Sequence, residues 1–418
     1  MGKLAINGGE KLRKKDFFLW PHYDEHELKY VEEVIKSRRW FSGMRGADPG
    51  TKAEEFEQKF AAYQDAKYGI SCANGTVAIE IALRAAGIGC GDEVIVPAIT
   101  FIATLSAVLQ VNAIPVVVDV LDSNQCIDPA EIEKAVTDKT KAIIPVHFGG
   151  FCCDMDKIMG IAKEHNLVVI EDSAHAHGAL NKDGRKVGTT GDLGTFSFQE
   201  SKNMTAGEGG IVTTNNPDLA EKCIQYRSCG RHAGESWYVH YVLPVNYRLA
   251  EVLSAMLIAQ LERLDEQIKK KNDNANYLAR KFENVDGIVP FPGDGMTKVN
   301  GYYLYLLRYD KDKFSGVSRN KFVDALNAEG IPSFIGYPWP LTKNPMFKNI
   351  PEGAKGCPYT CPYYGKEVNI KDTKLPVSDK LCEETVVIFH QVLLAPQSDM
   401  DDIIAAMVKI QENAEELL

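Results

Sequence analysis

The chain has 418 residues, 45% hydrophobic and 25% charged, a globular composition too long for one typical core. Its net charge of −10 argues against nucleic-acid binding, because contact with phosphates needs a basic surface. No run reaches the roughly 18 apolar residues of a membrane span, and the N-terminal stretch lacks an apolar signal core. The ten cysteines are scattered, which predicts reduced thiols and a cytoplasmic location.

The N-terminal half changes from amphipathic helices to an alternation of strands and helices. Residues 24–39 and 54–63 have apolar positions at helical spacing, with a loop rich in Gly, Asp and Pro between them. The predicted strands that follow are 68–72, 93–97, 115–119, 141–146 and 167–171, and the predicted helices between them are 76–86, 102–111, 129–136 and 155–164. This alternation predicts an α/β fold with a largely parallel sheet, whose ligands bind at the carboxyl ends of the strands.

The C-terminal half is predicted to contain a second, smaller domain. A long charged amphipathic region over 249–282 is interpreted as the connector between domains. An α+β pattern follows, with a strand at 302–309, a helix at 319–329 and a terminal helix from residue 399. The stretch 331–375, rich in Pro, Cys and Tyr, predicts an irregular loop over a site. We therefore expect a large domain over 1–250, with an N-terminal helical segment, and a small α+β domain with its connector over 251–418.

The first candidate site lies between a predicted strand and a predicted helix, in the segment Ala73-Asn74-Gly75-Thr76. Gly75 would allow close approach of the backbone to a ligand, and the first helical amides with the Thr76 hydroxyl would form an anion site. An ordinary helix cap is the alternative explanation. Neither GxGxxG nor a P-loop occurs here, so a nucleotide site is weakly supported.

Two further candidates follow predicted strands. Phe101 could stack on a planar heterocycle, although a core aromatic is the plainer explanation. Glu171 and Asp172 form an acid pair at a strand end, which is unfavourable unless the carboxylates are hydrogen-bonded. Asp172 could keep a pyridine nitrogen protonated, and His175 could reach the phenolic oxygen of the same ring. His175 and His177 could instead bind a metal, but no HExxH or CxxC accompanies them and no metal site is predicted.

Lys202 follows the strand-like run 194–198 and precedes the glycine-rich segment 207–210. A lysine near aromatic rings and backbone dipoles can become an amine nucleophile. We interpret Lys202 as the Schiff-base lysine for pyridoxal 5′-phosphate (PLP), with Ser197 available to the cofactor phosphate; an ordinary surface lysine is the alternative. The order of anion loop, aromatic residue, strand-end acid and lysine is more specific than any of these features alone.

These motifs together resemble the DegT/DnrJ/EryC1/StrS family of sugar aminotransferases. The resemblance runs from about Leu4 to the C-terminus and is strongest in 73–76, 97–119, 171–179 and 195–210. It implies PLP-dependent transferase fold type I, the fold of aspartate aminotransferase, with a large mixed, mostly parallel sheet. With Gln199, the lysine motif resembles that of the branch that uses glutamine to aminate keto-cyclitols of the scyllo-inosose type.

The resemblance also implies a role for each matching residue. Lys202 would form the internal aldimine, Asp172 would pair with the pyridine nitrogen, and Phe101 would stack on the ring. His175 would lie beside the phenolic oxygen. The residues matched to the phosphate site are Gly75, Thr76, Ser197 and Asn246. Asn246 matches an asparagine that reaches the phosphate of a neighbouring subunit, which implies a homodimer with shared active sites.

The implied reaction moves an amino group from glutamine or glutamate to a keto-sugar or keto-cyclitol. A nucleotide-4-keto-sugar aminotransferase is the alternative, because Arg227, Arg231 and Arg248 could contact a diphosphate. A non-catalytic regulator that binds PLP or a sugar is a second alternative, although no helix-turn-helix is evident. Cys357 and Cys361 depart from the family pattern with a CxxxC spacing, and we interpret them as loop thiols, with a metal or redox role as the alternative.

Overall fold

Three β-sheets organise the chain in the computed structural model, which describes residues 3–43, 50–232, 236, 238–243, 245–283, 285–347, 358, 361–366 and 368–418. Within this part of the chain the strands are β1 (Tyr68–Cys72), β2 (Glu93–Pro97), β3 (Ile114–Val118), β4 (Thr140–Ile143), β5 (Val168–Asp172), β6 (Leu180–Asn181), β7 (Leu193–Ser197), β8 (Gly210–Thr214), β9 (Ile288–Pro290), β10 (Thr297–Val299), β11 (Leu304–Tyr309), β12 (Ser333–Phe334) and β13 (Thr385–Phe389).

Several α-helices begin where a polar side chain caps the first turn. Asp24 and Thr51 each form a capping box with the glutamate three residues later, so α1 and α2 start at these points. Over the same described ranges the helices are α1 (Glu25–Ser37), α2 (Lys52–Tyr63), α3 (Gly75–Ala85), α4 (Ala103–Gln110), α5 (Pro129–Ala135), α6 (Met155–His165), α7 (Pro217–Arg227), α8 (Glu251–Glu262), α9 (Leu264–Phe282), α10 (Arg319–Ala328), α11 (Pro376–Glu384) and α12 (Met400–Glu412).

The largest sheet has seven strands in the order β1-β8-β7-β5-β4-β2-β3. The pairs from β7 to β3 are parallel, whereas β8 runs antiparallel to both β7 and β1. The predicted mixed, mostly parallel α/β sheet is therefore confirmed. Its parallel strands bring the residues that follow β2 and β5 to the same edge, together with Ser197 at the end of β7.

The sequence placed most elements of this sheet but missed one strand and extended another too far. β8 was not predicted, because a glycine-rich segment leads directly into its short run. β4 ends at Ile143, earlier than the predicted residue 146, because Pro145 has no amide hydrogen to continue a ladder. The predicted connector over 249–282 is two helices, α8 and α9, which meet at Arg263.

A second, four-stranded antiparallel sheet in the order β12-β13-β11-β9 forms the centre of the C-terminal half. The predicted strand at 302–309 is β11, whereas β9 and β13 were not predicted. Leu4 and Phe17 from the N-terminal segment pack into this C-terminal core with residues of α9, α10 and α12. The division of the chain at residue 250 stays a prediction.

The predicted loop over 331–375 is irregular for most of its described length. It contains β12 and two short 3₁₀ turns, and its first part approaches the large sheet through a hydrogen bond from Leu341 N to Ala98 O (2.9 Å). Cys361 is buried beside Ile114 and Tyr364, whereas Cys357 lies outside the described residues. Among the described helices, none combines the length and apolar character needed to cross a bilayer.

Candidate active site

A cavity of about 440 Å³ lies at the carboxyl ends of the parallel strands, where the fold predicts a ligand. Its walls include every candidate residue except Asn246, namely Gly75, Thr76, Phe101, Asp172, His175, Ser197 and Lys202. Asn246 is exposed and lies outside the cavity of its own chain. A groove of about 640 Å³ at the start of α2 is larger, but its lining includes none of these residues.

The first wall of the cavity is the N-terminus of α3. The Asn74 side chain caps the helix by accepting a hydrogen bond from Val77 N at 2.9 Å. The amides of Gly75 and Thr76 are in the first turn, where they have no acceptor within the helix and carry the positive end of its dipole. A Cβ on Gly75 would lie 2.6 Å from the Ser197 Cβ, so only glycine allows the helix to approach β7 this closely. The cap and the anion site predicted here are therefore compatible.

The Phe101 ring lies at the cavity and is 56% exposed. The alternative explanation of Phe101 as a core aromatic is therefore wrong. An aromatic ring exposed on a cavity wall offers a flat apolar surface on which a planar ring can stack.

Asp172 ends β5 and is buried at the floor of the cavity. Its Oδ2 accepts a hydrogen bond from Thr104 Oγ1 at 2.8 Å, and its Oδ1 accepts one from Ala174 N at 3.2 Å. Burial raises the pKa of Asp172, while these two hydrogen bonds and the nearby Lys202 act in the opposite direction. The site therefore holds a carboxylate that gains stability from a cation placed against it.

Glu171 has a different role, because successive side chains on a strand point to opposite faces. It accepts hydrogen bonds from His147 Nε2 at 2.8 Å and from the amides of Gly188, Thr190 and Gly191 at 2.8, 2.7 and 2.6 Å. Burial alone would raise the pKa of Glu171, but these donors outweigh it and the pKa is lowered. The acid pair thus divides into a structural carboxylate and one that faces the cavity.

The two histidines of the motif also separate. The His175 imidazole lies against the Tyr303 ring, with centroids 4.3 Å apart, and lines the cavity. Burial and the charge of Lys202 hold the pKa of His175 well below its usual value, so the ring is neutral at neutral pH. His177 instead packs against Phe196 and Phe198 at centroid distances of 5.5 and 5.6 Å. In the described part of the chain, three potential metal ligands approach one another only at Glu133, Glu164 and His165.

Lys202 is buried, and its Nζ lies 4.1 Å from the centroid of the Tyr303 ring. The segment before it is fixed locally: Gln199 Oε1 accepts hydrogen bonds from Ser201 N at 2.9 Å and Ser201 Oγ at 2.7 Å. The Ser201 hydroxyl uses its hydrogen for Gln199, so the Tyr303 hydroxyl, 2.9 Å away, donates to Ser201 Oγ. The alternative explanation of Lys202 as an ordinary surface lysine is therefore wrong.

The cavity residues that sequence reasoning did not identify include two tyrosines, Tyr303 and Tyr337. Both lie more than a hundred residues beyond Lys202 in the sequence, and the packing of the C-terminal half brings them to the cavity. Tyr303 lies inside the predicted strand 302–309, immediately before β11 as the structure has it, and Tyr337 lies in the aromatic, proline-rich start of the predicted loop. The loop prediction thus indicated a segment that covers the site, although it could not select a residue.

The three arginines considered for a diphosphate lie outside this cavity. Arg227 is buried, and its Nη1 forms an ion pair with Glu57 Oε1 at 2.6 Å. Arg248 donates to Ser228 Oγ at 3.2 Å and lies over the Phe41 ring at 4.8 Å. Within one chain, the cavity therefore receives no guanidinium from Arg227, Arg231 or Arg248.

Comparison with known protein families agrees with the family that the order of the site motifs predicts. The family model described as the DegT/DnrJ/EryC1/StrS aminotransferase family matches residues 21–408. The chain belongs to this family. The predicted family and the predicted aminotransferase class are confirmed.

Two relatives of this family member are similar over almost their whole length. The chain is 35% identical over 431 residues to the L-glutamine:2-deoxy-scyllo-inosose aminotransferase of Streptoalloteichus tenebrarius, with 99% of each chain covered. It is 35% identical over 423 residues to the L-glutamine:scyllo-inosose aminotransferase of Streptomyces griseus, again with 99% of each chain covered. The predicted resemblance to the scyllo-inosose branch is confirmed.

Solved structures confirm the predicted fold class. The chain matches 3-amino-5-hydroxybenzoic acid synthase with a TM-score of 0.85 and 32% identity, covering 97% of this chain and 100% of that one. It matches the PLP form of Spr1654 from Streptococcus pneumoniae with a TM-score of 0.78 and 26% identity, covering 95% and 98% of the two chains.

Proposed function

We propose that this aminotransferase uses PLP to move an amino group from glutamine to a keto-cyclitol, with glutamate and keto-sugars as the wider donor and acceptor classes. The observation that carries the proposal is the meeting of Lys202, Asp172 and Phe101 in one cavity at the strand ends. The names of the relatives from Streptoalloteichus and Streptomyces support glutamine and a scyllo-inosose-type acceptor.

The residues present fit PLP. The close approach of Gly75 to Ser197 leaves a cradle that a Cβ would fill, and the first-turn amides of α3 suit a phosphate. Asp172 would hold the pyridine nitrogen, and Phe101 would cover one face of the ring. His175, kept neutral, would lie beside the phenolic oxygen. When bound, the cofactor supplies an electron sink for the loss of a proton from an α-carbon.

Lys202 supplies the amine that the chemistry needs. Its Nζ would hold the cofactor aldehyde in the resting enzyme and become free when the amino donor takes its place. The free Nζ would then be a base inside the cavity, where it could accept the proton of the donor's α-carbon and pass the same proton to the cofactor's C4′. Asp172 would hold the cofactor nitrogen in its protonated form, because a nearby carboxylate favours the protonated pyridine.

Gln199 supports a polyol acceptor. Its Oε1 is occupied by Ser201, whereas its Nε2 donates to no residue in the described part of the chain. Gln199 lines the cavity, so this amide group is available to a ring hydroxyl of the acceptor. Within one chain, the cavity lining offers a diphosphate no guanidinium from Arg227, Arg231 or Arg248.

We also propose that the active unit is a homodimer, with Asn246 completing the phosphate site of the partner. Two exposed apolar segments support this. One contains Trp40 and Phe41, and the other contains Tyr238, Tyr241 and Leu243. Arg248 lies over the Phe41 ring, so the first of these segments lies beside the stretch that contains Asn246. Exposed aromatic and apolar side chains of this kind are typical of protein interfaces.

The proposed function is tested first by Lys202→Ala. The variant is expected to lose transamination and the visible absorbance of the lysine-bound cofactor, because no other amine would hold the aldehyde. Lys270→Ala, at an exposed lysine of α9, is the control and should keep both. A Lys202→Ala protein that keeps both properties would contradict the proposal.

The acceptor class is tested by separated half-reactions. The enzyme is loaded with glutamine or glutamate, its spectrum is followed to the amino form of the cofactor, and keto-cyclitols are then compared with UDP-, GDP- and dTDP-keto-sugars. We expect the original spectrum to return fastest with a keto-cyclitol. Faster return with a nucleotide sugar would reject the cyclitol and keep the aminotransferase, whereas no spectral change with either donor would indicate a non-catalytic binding protein.

A further inference from the structure

A second buried lysine, which the proposed mechanism does not use, lies next to the Lys202 segment. Lys271 on α9 has no exposed surface. Burial holds the pKa of its amine well below the usual value. A buried amine is unfavourable unless its donors are satisfied, so its hydrogen bonds indicate what it does in the fold.

The Lys271 amine contacts the residue that follows Lys202. Its Nζ lies 2.7 Å from Asn203 Oδ1 and donates to it. The same Nζ lies 3.1 Å from His390 Nδ1, and His390 Nε2 lies 2.9 Å from the carbonyl oxygen of Ser201. A carbonyl oxygen can only accept, so His390 Nε2 carries the hydrogen and Nδ1 accepts from Lys271. One amine thus fixes the chain on both sides of Lys202.

The network continues to the aromatic ring under the Lys202 amine. Asn203 Nδ2 donates to the carbonyl oxygen of Gly301 at 2.6 Å. Gly301 is two residues before Tyr303, whose ring centroid lies 4.1 Å from Lys202 Nζ. Lys271 therefore restrains both partners of the Lys202–Tyr303 contact.

The network also joins three separate parts of the fold. Lys271 belongs to α9, His390 begins the 3₁₀ turn His390–Leu394 after β13, and Lys202 lies in the loop between β7 and β8. Trp20 adds a fourth contact, since its Nε1 donates to Glu200 O at 2.7 Å and its ring lies edge-on to His390 at 4.7 Å. The position of Lys202 thus depends on how the C-terminal half packs against the large sheet.

We propose that Lys271 is a positioning residue for the aminotransferase reaction, which acts through His390 and Asn203 to fix Lys202 against Tyr303. The inference rests on the proposed function of Lys202. A proton-transferring amine must be held close to its ideal place, because a displacement of about 1 Å can lower a rate by about 100-fold. The buried network supplies this restraint without contacting the substrate.

The test compares Lys271→Met, which removes every donor, with Lys271→Gln, which keeps an NH2 group as donor. We expect Lys271→Met to lower kcat about 10- to 100-fold, because Lys202 is no longer held in place. The KM for glutamine should change less than about threefold, since binding contacts are kept. The absorbance maximum of the lysine-bound cofactor should shift as well. Lys271→Gln should restore kcat to within about fivefold of the unchanged enzyme.

Lys270→Met on the same helix is the matched control, because Lys270 is exposed, and it should change neither kcat nor the spectrum. The inference is overturned if Lys271→Met keeps the kcat and absorbance maximum of the unchanged enzyme. It is also overturned if Lys271→Met and Lys271→Gln lose kcat equally and in step with their melting temperatures, because the lysine would then be only structural.

If Lys271→Met does not fold, His390→Leu and His390→Gln test the same network from its other end. The leucine variant should lower kcat and shift the absorbance maximum, and the glutamine variant should recover most of both. Equal behaviour of the two variants would reject the inference. Failure of the proposed function looks different, because the unchanged enzyme itself would then show neither a lysine-bound cofactor band nor a half-reaction.

Discussion

Asp172 is a buried carboxylate that a neighbouring positive charge would stabilise. It is held by the Thr104 hydroxyl and the Ala174 amide, and burial raises its pKa. A buried carboxylate with a raised pKa is stabilised when a positive group is placed against it. The protonated pyridine nitrogen of the proposed cofactor is such a group.

We expect Asp172→Asn to lower the rate of the glutamine half-reaction about 10- to 1000-fold, because a nearby carboxylate shifts the pKa of a cation by about 1 to 3 units. The rate is measured by single-turnover absorbance. Asp183→Asn, at an exposed aspartate, is the control and should have no effect. A full rate in Asp172→Asn would show that the nitrogen has another partner.

At the scale of single residues, the sequence identified side chains whose type is unusual for their position, such as an acid at the end of a buried strand. Asp172 was predictable because an acid directly after an apolar strand needs a reason to be there. Tyr303 was not predictable, because an aromatic residue at the start of a strand looks like any core residue. Lys271 was hidden for a related reason, since a lysine in a charged helix is usually exposed, and only packing reveals that this one is buried.

At the scale of elements, the approach of α3 to β7 depends on one glycine. A Cβ at Gly75 would meet the Ser197 Cβ at 2.6 Å, so Gly75→Ala must push the helix N-terminus away from the strand. We expect the dissociation constant of PLP to rise about tenfold or more, which corresponds to a loss of about 1.4 kcal/mol of binding free energy. Cofactor titration followed by absorbance measures the change.

Gly160→Ala is the matched control, since Gly160 lies in α6 and a Cβ there meets nothing within 4 Å. It should leave PLP binding unchanged and raise the free energy of unfolding by up to about 1 kcal/mol, because alanine is the better helix former. Unchanged PLP affinity in Gly75→Ala would mean that the phosphate does not bind at this helix.

Glu171 links β5 to the turn before β7, and its charge is predicted to matter for stability. Its pKa is lowered from 4.5 by His147 and the turn amides despite burial. A group with a lowered folded-state pKa stabilises the fold above its unfolded value of 4.5, and this contribution is lost as the pH falls through the lowered folded-state value. Glu171→Gln should therefore lower the free energy of unfolding at pH 7 by about 1 to 3 kcal/mol.

Urea unfolding at pH 7 and at about pH 4 measures this effect. The difference between Glu171→Gln and the unchanged protein should shrink at the lower pH, because the carboxylate advantage fades there. A difference that stays constant with pH would mean that shape, not charge, is what Glu171 contributes.

At the scale of the whole molecule, Asn246 gives a test of the shared active site. Lys202→Ala and Asn246→Ala chains are mixed under conditions that allow subunits to exchange. If Asn246 acts in the partner's site, a mixed dimer has one intact site, and random mixing restores roughly a quarter of full activity. If Asn246 acts in its own chain, mixing restores nothing beyond the activity of the Asn246→Ala protein.

The sequence predicted the large sheet more completely than the rest of the chain. Buried parallel strands are short runs that a pattern can detect, and six of the seven strands were placed from strand-like runs, including β7 from the run at 194–198. β8, β9 and β13 were missed, because glycine before β8 and the short or helix-flanked runs of the others give weak local signals. The break at Arg263 was missed too, since the helical pattern continues across it.

The pairing of Asp172 with Thr195 across β5 and β7 has a consequence for how this chain tolerates insertions and deletions. Extra residues in the exposed turn over 182–185 leave that pairing intact, so the acid and the lysine stay in place. One extra residue inside β7 would turn Thr195 and Ser197 to the opposite face and carry Lys202 away from the acid. The spacing that matters for the chemistry is therefore measured across the sheet and not along the chain.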